Sequence, residues 1–109
     1  MIAGSTLSIE GLVALLKDID PVIRIHAGLV LASLGTAARP AVPALIRLLD
    51  SARPGERKLA AMALGELGST AGAATMALLR ASHDADTRLA ELANWAYDEV
   101  SRPAEWDAA

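Results

Sequence analysis

Asp20-Pro21-Val22-Ile23-Arg24-Ile25-His26-Ala27, which runs on to Leu34-Gly35, is matched further along by Pro54-Gly55-Glu56-Arg57-Lys58-Leu59-Ala60, which runs on to Leu67-Gly68. Arg24 and Arg57, Ala27 and Ala60, Leu31 and Leu64, and Gly35 and Gly68 are all related as i and i+33. One such match means little; several at one spacing make an internal repeat. Leu15-Leu16-Lys17-Asp18 leads into the first copy and Leu48-Leu49-Asp50 into the second. A third copy is anchored on Leu78-Leu79, related to Leu48-Leu49 as i+30, with Asp84-Ala85-Asp86-Thr87-Arg88-Leu89-Ala90 opening its last helix. In that register Thr87 falls where the arginine belongs and Arg88 stands one place late, the erosion that a terminal repeat tends to show.

Each copy divides into two helices at recognisable punctuation. Ser8 predicts an N-cap for a helix over 9–18, with Glu10 in its first turn. Asp20 caps the second helix and Pro21 opens it, where a missing N–H costs nothing. Gly35 closes it in a left-handed conformation. Pro40 and Pro43 fit the opening turn of a third helix, Pro54 opens a fourth and Gly68 ends it. Ser69 or Thr70 caps a fifth over 71–81, Asp84 caps a sixth over 85–101, and Pro103 stops it. The short links force neighbouring helices to run antiparallel.

Composition agrees. The 109 residues are the size of one domain, just over half hydrophobic and mostly Ala and Leu; the three aromatics are Trp95, Tyr97 and Trp106. Such a chain packs helices through small residues rather than building a β-sandwich. The net charge of −3 argues against a general nucleic-acid binder, which needs a basic stripe. The absence of cysteine excludes disulfides, thiolate chemistry and cysteine zinc sites. No apolar run reaches the length of a membrane span, and the opening Met1-Ile2-Ala3-Gly4-Ser5-Thr6 does not read as a secretory signal, so a cytoplasmic protein is expected.

The pattern Leu-Leu-x-Asp-x-Asp-Pro-x-Ile-Arg-x-x-Ala to Leu-Gly, followed by Ala37-Ala38-Arg39-Pro40-Ala41-Val42-Pro43-Ala44-Leu45, resembles HEAT repeats. It is closest to the short bacterial type that also occurs in phycobilisome lyases, and the resemblance covers about residues 7–101. It implies an all-α fold of three helix–turn–helix repeats, about 7–35, 37–68 and 70–101, stacked as a short right-handed α-solenoid. These form one domain over 1–103, with 104–109 as a tail. It implies a concave, partner-binding face lined by the second helices. It also implies that Arg24 and Arg57 brace adjoining turns by pairing with Asp18, Asp20 or Asp50.

Function is expected where the chain departs from the family pattern. Val22, Ile25 and Leu29 stand where that pattern has polar residues, and their i, i+3, i+7 spacing puts them on one helix face. Ile23, Ala27, Val30, Leu31 and Leu34 form the other face, expected to be buried. The outward position recurs as Met62 and, in the i+30 register, as Leu92, with Lys58 and Arg88 beside it as a basic rim. This predicts an apolar ridge that binds another protein or a second copy of the chain, unless the tail around Trp106 folds back over it. A first repeat without a polar outer side is a further reason to expect an oligomer, most simply a two-fold homodimer.

Chemistry is thinly represented. His26 reads as a packing residue. His83-Asp84-x-Asp86 has metal-ligand types but no third or fourth converging ligand. Gly65-Glu66-Leu67-Gly68-Ser69 lacks the Gly-Lys-Ser/Thr of a phosphate loop. Glu91, Asp98 and Glu99 make a solvated face. Neither an enzyme nor a cofactor, metal, membrane or small-molecule site is expected. The resemblance also leaves open an accessory subunit of a lyase or other enzyme complex, and, against the acidic balance, a nucleic-acid-binding HEAT-like protein.

Overall fold

The computed structural model describes residues 8–103. Their regular structure is entirely helical: α1 (Ile9–Leu15), α2 (Pro21–Ser33), α3 (Val42–Leu48), α4 (Pro54–Leu67), α5 (Thr75–Ala81) and α6 (Thr87–Val100). The first helices of the pairs begin at Ile9, Val42 and Thr75, and the second helices at Pro21, Pro54 and Thr87. Both steps keep the i+33 register, the third repeat included, and the i+30 register expected from Leu78-Leu79 is corrected. Leu78 answers Leu45 and Leu12, three core leucines buried at the same place in successive first helices. The leucine pair misleads because Leu79 answers Ile46, so two apolar neighbours recur slightly early.

The punctuation forms largely where the sequence puts it. Ser8 Oγ accepts from the Gly11 N–H at 3.0 Å, and Asp20 Oδ1 from the Val22 N–H at 2.9 Å, each satisfying a donor that the first turn leaves without an intrahelical acceptor. Gly35 and Gly68 close α2 and α4 at φ +59° and +58°, a region where a Cβ is strained. Several expectations change. The first helix ends at Leu15 rather than residue 18. Gly35–Ala41 and Gly68–Ala74 form 3₁₀ turns that feed directly into α3 and α5, so Pro40 lies in the turn and only Pro43 in the helix. Neither Ser69 nor Thr70 caps α5; the Thr75 N–H bonds to the Gly72 carbonyl of the preceding turn. Lastly, Asp86 rather than Asp84 caps α6, accepting from the Arg88 and Leu89 N–H groups, while Asp84 accepts from the Asp86 N–H at 2.8 Å.

The core runs the length of the stack. Leu16, Leu31, Leu45, Leu64, Leu78 and Leu89 are its large, fully buried side chains, separated by buried alanines such as Ala60, Ala63, Ala93 and Ala96. The small residues bring second helices close. A Cβ on Gly28 would meet Leu59 Cδ1 at 2.6 Å, and one on Gly65 would meet the Trp95 ring at 2.3 Å. α4 thus lies between α2 and α6, packed on both.

Candidate functional site

The second helices carry a large apolar side chain at one register position three times: Leu29 on α2, Met62 on α4 and Trp95 on α6, each at i+33 from the last. Leu29 is about half exposed, Met62 is partly buried against the core, and Trp95 is exposed along one edge while its ring lies over Gly65. Val22 and Ile25 extend the ridge on α2, each about half exposed. Leu92 is not on this line. The i+33 register pairs it with His26 and Leu59, and it packs half-buried against the core. Trp95 is missed when the third copy is laid at i+30; the spacing from Leu29 to Met62, carried on once more, is the signal that finds it.

The expected basic rim divides. Lys58 takes the register of Ile25 and reaches Asp86 Oδ2 at 3.5 Å, tying α4 to the start of α6. The Leu89 backbone N–H and then the Lys58 charge hold the Asp86 carboxyl below its ordinary value near 3.8. Arg88 takes the register of Val22 and stays exposed. It shares an open hollow of about 500 Å³ with Glu91, Leu92 and Trp95, so its charge has an acidic neighbour.

The arginine brace is built differently from what the resemblance implies. Arg24 Nη1 donates to the Asp18 backbone carbonyl at 2.7 Å, and Arg57 Nη1 to the Ser51 carbonyl at 2.7 Å, the same bond one repeat on. Neither uses an aspartate carboxylate. Arg24 Nε instead faces Glu56 Oε2 at 3.8 Å, across the joint between the first two repeats. Glu56 is the buried charged residue of the core, also held by Ser51 Oγ and by Arg53 Nη1 at 3.2 Å. The position one repeat beyond Glu56 is Leu89, and the buried Arg57 Nε accordingly has no acceptor.

The remaining candidates behave as separate side chains. His26 and His83 are exposed, and among the described residues no three His, Asp or Glu side chains lie close enough to share a metal ion. No described helix is long and apolar enough to cross a membrane. Trp106 and the tail lie outside the described residues.

Helix pairs that begin 33 residues apart, an arginine-to-carbonyl brace shared by the first two repeats and a continuous leucine–alanine core are the marks of one repeat family. The sequence matches the family model described as HEAT repeats over residues 9–97. The chain belongs to the HEAT-repeat family. No curated protein matches it. HEAT repeats generally serve as protein–protein interaction scaffolds.

Proposed function

We propose that this HEAT-repeat chain is a protein-binding module, without catalysis of its own, that takes an apolar segment of another protein along the outward ridge of its second helices. The observation that carries the reading is the recurrence of Leu29, Met62 and Trp95 at one register position, widened on α2 by Val22 and Ile25. Covering a half-exposed Leu or Ile contributes on the order of 1 kcal/mol each before ordering costs, so several together suffice for a specific, moderate affinity. Lys58 is engaged with Asp86 and Arg88 sits beside Glu91, which favours a protein over a nucleic acid as ligand. The partner's own activity decides whether the pair acts as a scaffold or as an enzyme with an accessory subunit.

The test compares wild type with an Ile25→Asp, Leu29→Asp double variant, both immobilised and shown by circular dichroism to be equally helical. Both positions are exposed, so the fold is expected to survive. From extracts of the encoding organism, wild type should retain a protein that the variant loses at least tenfold. Equal retention by both, or retention of nucleic acid alone, rules the ridge out.

A further inference from the structure

We propose that the hollow between the first two repeats, where the chain turns from first helices into second helices, is a binding site for a single phosphate group. The hollow measures about 360 Å³ and is lined by Lys17, Arg47, Leu48, Ser51, Arg53 and Glu56. Three of the chain's ten lysines and arginines therefore line one space, in a protein whose net charge is −3. They come from three places: Lys17 from the turn after α1, Arg47 from the last turn of α3, and Arg53 from the residue that precedes α4. Like charges gathered at one hollow repel one another, and an anion among them turns that repulsion into attraction.

The carboxylate already in the hollow is not that anion. Glu56 is buried, accepts from Ser51 Oγ, and lies 3.2 Å from Arg53 Nη1 and 3.8 Å from Arg24 Nε. Its charge is shared between two arginines, one of which, Arg24, does not line the hollow. Lys17 and Arg47 are exposed and have no acid within ion-pair distance among the described residues. Glu56 serves instead to place Arg53, whose backbone N–H also donates to Ser51 Oγ at 3.1 Å and whose side chain remains 60% exposed. The nearby loop acids are bound to their own backbone. Asp18 Oδ1 accepts from the Asp20 N–H and Asp20 Oδ1 from the Val22 N–H, both at 2.9 Å, and neither aspartate lines the hollow.

The next joint of the same stack shows that this charge is no by-product of the repeat. One repeat on, the lining positions are Asp50, Arg80, Ala81, Asp84, Asp86 and Leu89, so three acids and one cation stand in place of three cations and one acid. There Asp86 caps α6 and pairs with Lys58 at 3.5 Å. The architecture accepts either set, and the basic set belongs to the first joint. Two guanidinium forks and an ammonium suit the oxygens of a phosphate, and three cations suit a group that carries nearly two negative charges at pH 7 better than a single carboxylate. A nucleic acid fits poorly, because Asp50, Asp84 and Asp86 would meet its neighbouring phosphates. The cations are solvated, so a dissociation constant on the order of 1 mM is expected. No residue of the Leu29–Met62–Trp95 ridge lines this hollow, and either reading can fail alone.

The test is a titration of the full chain at constant ionic strength, followed by the amide chemical shifts of isotope-labelled protein, with inorganic phosphate, O-phosphoserine and acetate as probes. Wild type should show saturable shifts at Lys17, Arg47, Ser51 and Arg53 with phosphate, and acetate should bind at least about fivefold more weakly. Lys17→Gln and Arg47→Gln, both at exposed positions, should each weaken phosphate by about threefold to fivefold with unchanged helicity. The double variant should no longer saturate, whereas Arg80→Gln, the matching position of the second joint, should bind like wild type. O-phosphoserine binding as tightly as inorganic phosphate assigns the site to phosphorylated side chains; binding of inorganic phosphate alone assigns it to the free ion. Shifts that do not saturate by about 20 mM, well above the expected constant, overturn the inference. So does acetate binding as tightly as phosphate, and so does an equal loss in Arg80→Gln and Arg47→Gln.

Discussion

At the scale of single residues, the joint between the first two repeats turns on Glu56. It occupies a position that is Ile23 in the first copy and Leu89 in the third, so the backbone there accepts an apolar side chain. A carboxylate survives at 7% exposure because Ser51, Arg53 and Arg24 surround it with donors. Glu56→Ala should destabilise the fold by about 1–3 kcal/mol in urea titrations, since it removes the acceptor and leaves Arg24 Nε, only 13% exposed as a side chain, without a counter-charge. Glu56→Leu combined with Arg24→Met should recover much of that loss, as replacing a buried pair by apolar groups often does. A double variant that loses as much as the two single variants together would show that the pair is not coupled. The sequence marks both arginines but not their acceptors. A backbone carbonyl carries no residue-type signal, and Glu56 reads as a solvated first-turn acid until α2 is seen to cover it.

Among the elements, the glycines that face other helices decide how closely second helices approach. Gly28 and Gly65 look alike in sequence, each inside a helix where alanine would gain about 0.5–1 kcal/mol of propensity. Their surroundings differ. The Cβ of Gly28→Ala meets the end of the Leu59 side chain, which can rotate away, whereas the Cβ of Gly65→Ala meets three atoms of the Trp95 ring between 2.3 and 2.9 Å. Gly28→Ala should therefore be near neutral. Gly65→Ala should cost about 1–3 kcal/mol as α6 is pushed off α4, with a change in tryptophan fluorescence. A neutral Gly65→Ala would mean that the ring swings clear and that the ridge is softer at Trp95 than its packing suggests. Helix starts at Ser8, Asp20, Pro21 and Pro54 are legible because caps and prolines act through local chemistry. The 3₁₀ turns before α3 and α5 are not, because Gly35–Ala41 and Gly68–Ala74 contain the small residues, and the first of them the proline, that a helix start would use.

For the whole molecule, the repeat that looks most ordinary in sequence is the one with least support. Ile23, Val30 and Leu34 show the periodicity of a buried face, and periodicity reports what a face is made for, not whether anything lies on it. In a stack where each repeat touches only its neighbours, α4 is held from both sides and α2, among the described residues, from one. Half-covered Ile and Val side chains lower local stability by on the order of 1.5 kcal/mol, about tenfold in opening equilibrium. Backbone amides of α2 should therefore exchange with solvent about tenfold faster than those of α4 in dilute solution, as read by mass spectrometry. Identical rates in α2 and α4 would mean that the stack opens as a single cooperative unit. The open first repeat would then be as secure as the covered second, and the burial difference between Val30 and Ala63 would carry no energetic consequence.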